Sequence, residues 1–170
     1  MITIVAGTNR RGSNTRKIAE EYRRLLTEKG VETVFFSLEG VNLLENDAAF
    51  ASIEREIIKP ARHLIFVSPE YNGSFPGVLK LLFDNSSSHE IWFNKKALLT
   101  GLSTGRAGNL RGMDHLADIL NFVKITVHPN KLPISQVNRL LDADGRIADP
   151  GTLAAINQQL NEFLDWIKHS

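Results

Sequence analysis

The chain has no cysteine among its 170 residues. That excludes a disulfide framework, thiolate catalysis and any metal or iron–sulfur centre held through sulfur. It accords with a reducing cytoplasm. An excess of either charge is missing as well, since 20 Lys and Arg face 19 Asp and Glu for a formal +1. Such a balance offers neither the basic footprint of a nucleic-acid binder nor an acidic tail. No apolar run approaches the roughly 20 residues needed to span a membrane. The opening run Ile2–Ala6 is too short for a secretory apolar core and follows no basic segment. These absences lead to the expectation of one cytoplasmic domain, residues 1–170, without nucleic-acid or membrane partners.

Several catalytic signatures are missing too. There is no GxGxxG and no Gly-Lys-Ser/Thr of a Walker loop. The histidines His63, His89, His115, His128 and His169 show neither HxH nor HExxH spacing, so no metal site is expected. The run Asp142–Gly145 faintly resembles a calcium loop, but the twelfth-position glutamate is absent.

What the sequence does contain is an alternation of two apolar periods. Ile2–Ala6 is a short β-branched run and reads as a buried strand. Ile18, Ala19, Tyr22, Leu25 and Leu26 recur at spacings of three and four, predicting a helix over 15–29 stopped by Gly30. A second strand is predicted at 31–36, a weaker helix at 47–60 and a third strand at 63–67. A helix then begins near Pro76, a fourth strand covers 95–103, and a helix runs over 110–122. A fifth strand starts at Val123, and a closing helix spans 151–168. Repeated strand–helix units predict an α/β fold with a doubly wound, five-stranded parallel sheet and helices on both faces. The right-handed crossover rule favours a flavodoxin-like order 2-1-3-4-5.

In such a sheet, ligands bind beyond the carboxyl ends of the strands, where the strand order switches. The loops after strands one, three and four are the ones with unusual composition. The first, Gly7–Thr15, combines the hydroxyls of Thr8, Ser13 and Thr15 with Asn14, Arg10 and Arg11 at a helix N-terminus. Short donors and free N–H groups at the positive end of a helix suit a phosphate. Capping by Ser13 or Asn14 accounts for one of these residues, not for the set. The second loop, SPEYNGSFPG at 68–77, packs two prolines, two glycines, an acid, a phenol and an amide into one connection. A loop stiffened by Pro69 and Gly73 can present successive backbone groups to the edge of a planar ring, with Tyr71 alongside. A rigid connection with a surface tyrosine is the alternative. The third loop, Ser103–Asn109, has two glycines that permit close approach to a ligand, or else forms a flexible link capped by Asn109.

Taken together, these motifs resemble the NADPH-dependent FMN reductase family, which includes flavodoxin-like quinone, azo-dye and chromate reductases. The matching residues are Gly7, Arg10 and Ser13–Thr15, then Pro69–Asn72, Ser74, Pro76, Gly77, Leu79, Lys80 and Asp84. The resemblance runs over essentially the whole chain, and the PEYN block is its most specific part. Departures are Thr8 for the usual serine, Leu81 for Asn, Asn85 for Trp, and Arg106 and Asn109 where small residues are usual.

The resemblance implies that Thr8, Arg10, Ser13, Asn14 and Thr15 hold an FMN phosphate. It implies that Pro69, Glu70, Tyr71 and Asn72 line the isoalloxazine, and that Ser103, Thr104, Gly105 and Arg106 border its other edge. The implied activity is an FMN-dependent NAD(P)H oxidoreductase, passing hydride from reduced nicotinamide to FMN and on to a quinone, azo compound, free flavin or similar acceptor. Because the cofactor carries that chemistry, no catalytic side chain is expected. A flavodoxin-like electron carrier without nicotinamide turnover is the alternative, although carriers are typically acidic and this chain is not. A homodimer or homotetramer is implied by the resemblance.

Overall fold

A computed structural model of the chain describes residues 1–169. The strands are β1 (Ile2–Ala6), β2 (Thr33–Ser37), β3 (His63–Pro69), β4 (Lys96–Leu102), β5 (Thr126–Val127) and β6 (Leu132–Ile134). The helices are α1 (Asn14–Glu28), α2 (Ala48–Ile53), α3 (Gly77–Asp84), α4 (Leu110–Phe122) and α5 (Pro150–Lys168). α2 runs on into a π-helical turn, Glu54–Ile58. All strand pairs are parallel and the order is β2-β1-β3-β4-β5, with β6 also paired to β4. This is the expected doubly wound sheet.

Two packed faces follow from the two-residue period of the central strands. Along β3, Leu64 and Phe66 point into one core with Leu79, Leu82 and Phe83 of α3 and Leu116 of α4. Ile65 and Val67 point into the other, against Ile18 and Leu26 of α1 and Ile156 and Leu160 of α5. Within that second core the buried Tyr22, Thr100 and Gln159 form a polar knot. The Tyr22 hydroxyl donates to Gln159 Oε1 at 2.6 Å and accepts from Thr100 Oγ1 at 2.7 Å. The Gln159 amide donates to Leu99 O and Asn130 O at 3.0 and 2.8 Å, so every member is satisfied. Burial pushes the Tyr22 phenol far above its ordinary pKa.

Gly30 ends α1 as the sequence predicts, with φ +72°, while the Val31 N–H reaches Leu26 O at 2.9 Å. The fifth strand departs from expectation. α4 closes with the same motif, using Lys124 at φ +57° and a 2.8 Å bond from Ile125 N to Leu120 O. Val123–Ile125 are therefore consumed by the helix end, and β5 keeps only two residues. Pro129 then interrupts the edge because it has no N–H to donate. The ladder on β4 resumes at β6, in register Thr100 with Leu132 and Leu102 with Ile134. The sheet thus has six strands, with β5 and β6 sharing one side of β4.

Asp142 and Asp149 serve local structure. Asp142 Oδ1 accepts from the Asp144 and Arg146 N–H groups at 3.0 and 2.9 Å, closing a turn beneath the Leu141–Ile147 bridge. Asp149 caps α5 through the Thr152 N–H at 2.7 Å. Among the described residues no group of three or more His, Asp or Glu is placed to hold a metal ion. Nor is any described helix long and apolar enough to cross a membrane.

Candidate functional site

The three unusual loops meet at the carboxyl edge of β1, β3 and β4. They surround a cleft of about 360 Å³, at the lower end of the range for small-molecule sites. One end is the N-terminus of α1, where Arg10, Ser13, Asn14 and Thr15 line the wall. The Ser13 hydroxyl caps the helix by accepting from Arg16 N at 3.2 Å. The N–H groups of Asn14 and Thr15 open the helix and have no carbonyl a turn earlier to take them. The helix dipole adds positive potential at the same place.

The long walls are Pro69, Glu70, Tyr71 and Asn72 on one side, and Leu102, Ser103, Thr104 and Val137 on the other. Tyr71 and Ser74 exchange backbone hydrogen bonds at 2.8 and 3.1 Å around Asn72 and Gly73, whose φ values are +53° and +76°. This is a minimal hairpin of the Asn-Gly kind, and it projects the tyrosine from a rigid base. Tyr71 is tied to the first loop as well. Its hydroxyl lies 2.8 Å from Thr8 Oγ1, and the Arg10 guanidinium stacks over its ring at 4.6 Å.

Thr8, Gly105 and Arg106 stand apart from the other expected site residues, since none of them lines the cleft. Thr8 is 1% exposed, and its hydroxyl is taken by Tyr71 and by the Arg10 N–H at 3.3 Å. The carbonyls of Gly105 and Arg106 turn away from the cleft, toward the Gln136 N–H at 2.8 Å and the Ser135 hydroxyl at 2.6 Å. Ser103 holds its loop closed by accepting from Gly108 N at 2.9 Å and donating to Gly105 O at 3.1 Å. Sequence reasoning missed Leu102 and Val137. Leu102 is the last apolar residue of β4 and carries no local signal. Val137 arrives from the turn after β6, and no pattern in the sequence places that turn beside the third loop, where its N–H meets Ser103 O at 3.0 Å.

Asn109 is the other surprise. It does not cap α4 through its side chain. Instead its amide nitrogen crosses to β3 and donates to Ser68 O and Pro69 O, each at 3.0 Å. Its backbone N–H meets the Glu70 carboxylate at 3.2 Å. The acid therefore sits at the positive end of α4.

The arrangement combines an anion-accepting helix end with a stiff-walled slot, which suits a ligand with a phosphate at one end and a flat ring at the other. The model of the NADPH-dependent FMN reductase family matches residues 1–139. The chain belongs to this family. It is 31% identical to an NAD(P)H-dependent FMN reductase of Pseudomonas aeruginosa, over 96% of this chain and 93% of that one. A 2-hydroxy-1,4-benzoquinone reductase of a Burkholderia species is 26% identical, over 98% and 96%. Among solved structures, the flavoenzyme NAD(P)H:(acceptor) oxidoreductase FerB of Paracoccus denitrificans superposes with a TM-score of 0.81. It shares 21% identity, over 99% of this chain and 97% of that one, and is a likeness of fold. An archaeal flavodoxin superposes at 0.66 with 17% identity, over 99% and 100%.

Proposed function

We propose that the cleft holds FMN with its phosphate on the N-terminus of α1 and its ring between the Pro69–Asn72 and Leu102–Thr104 walls. The observation that carries this reading is the juxtaposition of unpaired helix-start N–H groups, the Ser13–Thr15 donors and a stiff slot in one cleft. Family membership makes the protein an FMN-dependent NAD(P)H oxidoreductase, an enzyme rather than a simple electron carrier.

Bound FMN supplies the redox chemistry, taking electrons from reduced nicotinamide and giving them to an acceptor. The chain binds and orients. Asn14 and Thr15 offer N–H and side-chain donors to a phosphate, and Arg10 adds a charge-assisted contact at the same end. The Thr8 hydroxyl fixes the phenol of Tyr71, and the Asn72–Gly73 hairpin fixes its backbone. Ser103 keeps the opposite loop folded back on itself. One open mouth serves both substrates, so they take turns and the kinetics are ping-pong.

Small quinones and azo compounds suit that mouth, and relatives named for such acceptors support this reading. Action in the cytoplasm as a homodimer or homotetramer is part of the proposal. Exposed Leu44, Leu110 and Phe122 are available for subunit contact. Titration of apo-protein with FMN, FAD and riboflavin, followed by flavin fluorescence, tests the site. Tight FMN and weaker riboflavin binding is expected, and no flavin binding at all would overturn the reading.

A further inference from the structure

Asn109 is fully buried and sits at φ +65°, ψ +29°, a left-handed conformation that asparagine tolerates better than most residues. One residue performs four tasks there. Its carbonyl accepts from Met113 N at 2.9 Å and starts α4, and its N–H meets Glu70 Oε2 at 3.2 Å. Its amide nitrogen spends one proton on Ser68 O and the other on Pro69 O, with Ser68 Oγ at 3.4 Å. Its Oδ1 is buried without a hydrogen-bond partner among the described residues. That oxygen is pressed against Gly112, where a Cβ would lie 2.0 Å from it. A buried unpaired acceptor is costly. The structure accepts that cost in order to aim both amide protons at the end of β3.

We propose that Asn109 is a positioning residue for the flavin ring. By holding the Ser68 and Pro69 carbonyls through its amide and the Glu70 carboxylate through its backbone N–H, it fixes the wall against which the ring lies. The inference rests on the reading that the ring occupies that slot. Asn109 acts through Pro69 and Glu70 and touches no substrate.

Asn109→Gly tests it, because glycine accepts the left-handed backbone and only the side chain is lost. Flavin binding is measured at a temperature where circular dichroism shows the variant folded. FMN and riboflavin affinities are both expected to fall about tenfold, by the same factor, because the two ligands share the ring. The visible absorption band of bound FMN is expected to shift relative to wild type. Gly112→Ala, whose new methyl displaces the same amide without removing it, is expected to shift the band in the same sense. Unchanged affinities and an unchanged band in both folded variants would overturn the proposal, whatever happens to Tm. If Asn109→Gly does not fold, Gly112→Ala decides by the same two readouts. Absence of flavin binding by the wild type would instead sink the underlying cofactor reading and this proposal with it.

Discussion

The hydroxyls of Thr8 and Tyr71 stand 2.8 Å apart and join two loops separated by 63 positions in the chain. Thr8 is buried, whereas Tyr71 lines the cleft, so the bond passes the rigidity of the β1 edge to a wall of the site. Tyr71→Phe removes that bond and leaves the Thr8 hydroxyl with only the Arg10 N–H. Stability is expected to fall by about 1 kcal/mol, read as a lower denaturant midpoint with unchanged slope. FMN affinity is expected to drop as well, because the ring of residue 71 then keeps only its backbone anchor and the Arg10 stack.

Arg10 reaches over Tyr71 from the α1 end of the cleft. Arg10→Ala is expected to weaken FMN binding by about 1–3 kcal/mol through loss of a charge-assisted contact. Riboflavin, which has no phosphate, should lose much less. Parallel titrations measure the difference, and equal losses for both ligands would remove Arg10 from the phosphate site. An unchanged FMN affinity would do the same.

The Tyr22–Thr100–Gln159 knot predicts a stability effect far from the cleft. Gln159→Leu leaves the buried Tyr22 hydroxyl and Leu99 carbonyl, and the half-buried Asn130 carbonyl, without their shared partner. A loss of about 2–4 kcal/mol is expected, since each buried orphan costs about 1–3 kcal/mol and the losses overlap. Chemical denaturation measures it, and flavin affinity in the folded variant should stay at the wild-type value.

His128 sets a pH dependence. Its ring packs edge-on against Phe163 and Trp166 at 6.0 and 5.2 Å, and its Nδ1 accepts from Asn130 N at 3.3 Å. Burial lowers its pKa, outweighing the nearby Glu162 carboxylate, which raises it. Because the folded value lies below the unfolded one of about 6.5, the unfolded chain binds more protons between the two. The contribution of His128 is therefore complete above about pH 6.5 and shrinks as pH falls toward the folded pKa. His63, lowered by burial and by Lys96, acts in the same sense. NMR titration of the His128 ring should give a midpoint below the ordinary imidazole value. A midpoint at or above it would show that burial does not govern this residue.

Much of the fold is legible in the sequence because its signals are local. The spacing of Ile18, Tyr22, Leu25 and Leu26 marks α1, Gly30 ends it, and the β-branched run Ile2–Ala6 marks β1. The fifth strand misled, because Val123 and Ile125 look like strand residues while Lys124 turns left-handed to close α4. That choice depends on whether a helix end or a strand start wins the same residues, and apolar period does not distinguish them. In the site, Ser13–Thr15 and Pro69–Asn72 were legible because their composition exceeds what a turn requires. Asn109 and Val137 were not. Each acts on a partner that is remote in sequence and near only once the loops meet.

The sequence by itself determined the alternation of strands and helices, and with it the parallel sheet and the edge where the cleft opens. Those follow from which side chains avoid water at which period, a property each segment carries alone. The tertiary structure decided how the polar groups are shared out. It gave the Thr8 hydroxyl to Tyr71 and turned the Gly105 and Arg106 carbonyls toward Gln136 and Ser135 respectively. It also sent the Asn109 amide to the end of β3. A hydroxyl or an amide can satisfy its hydrogen bonds with many partners, and only the packed arrangement of the three loops selects one.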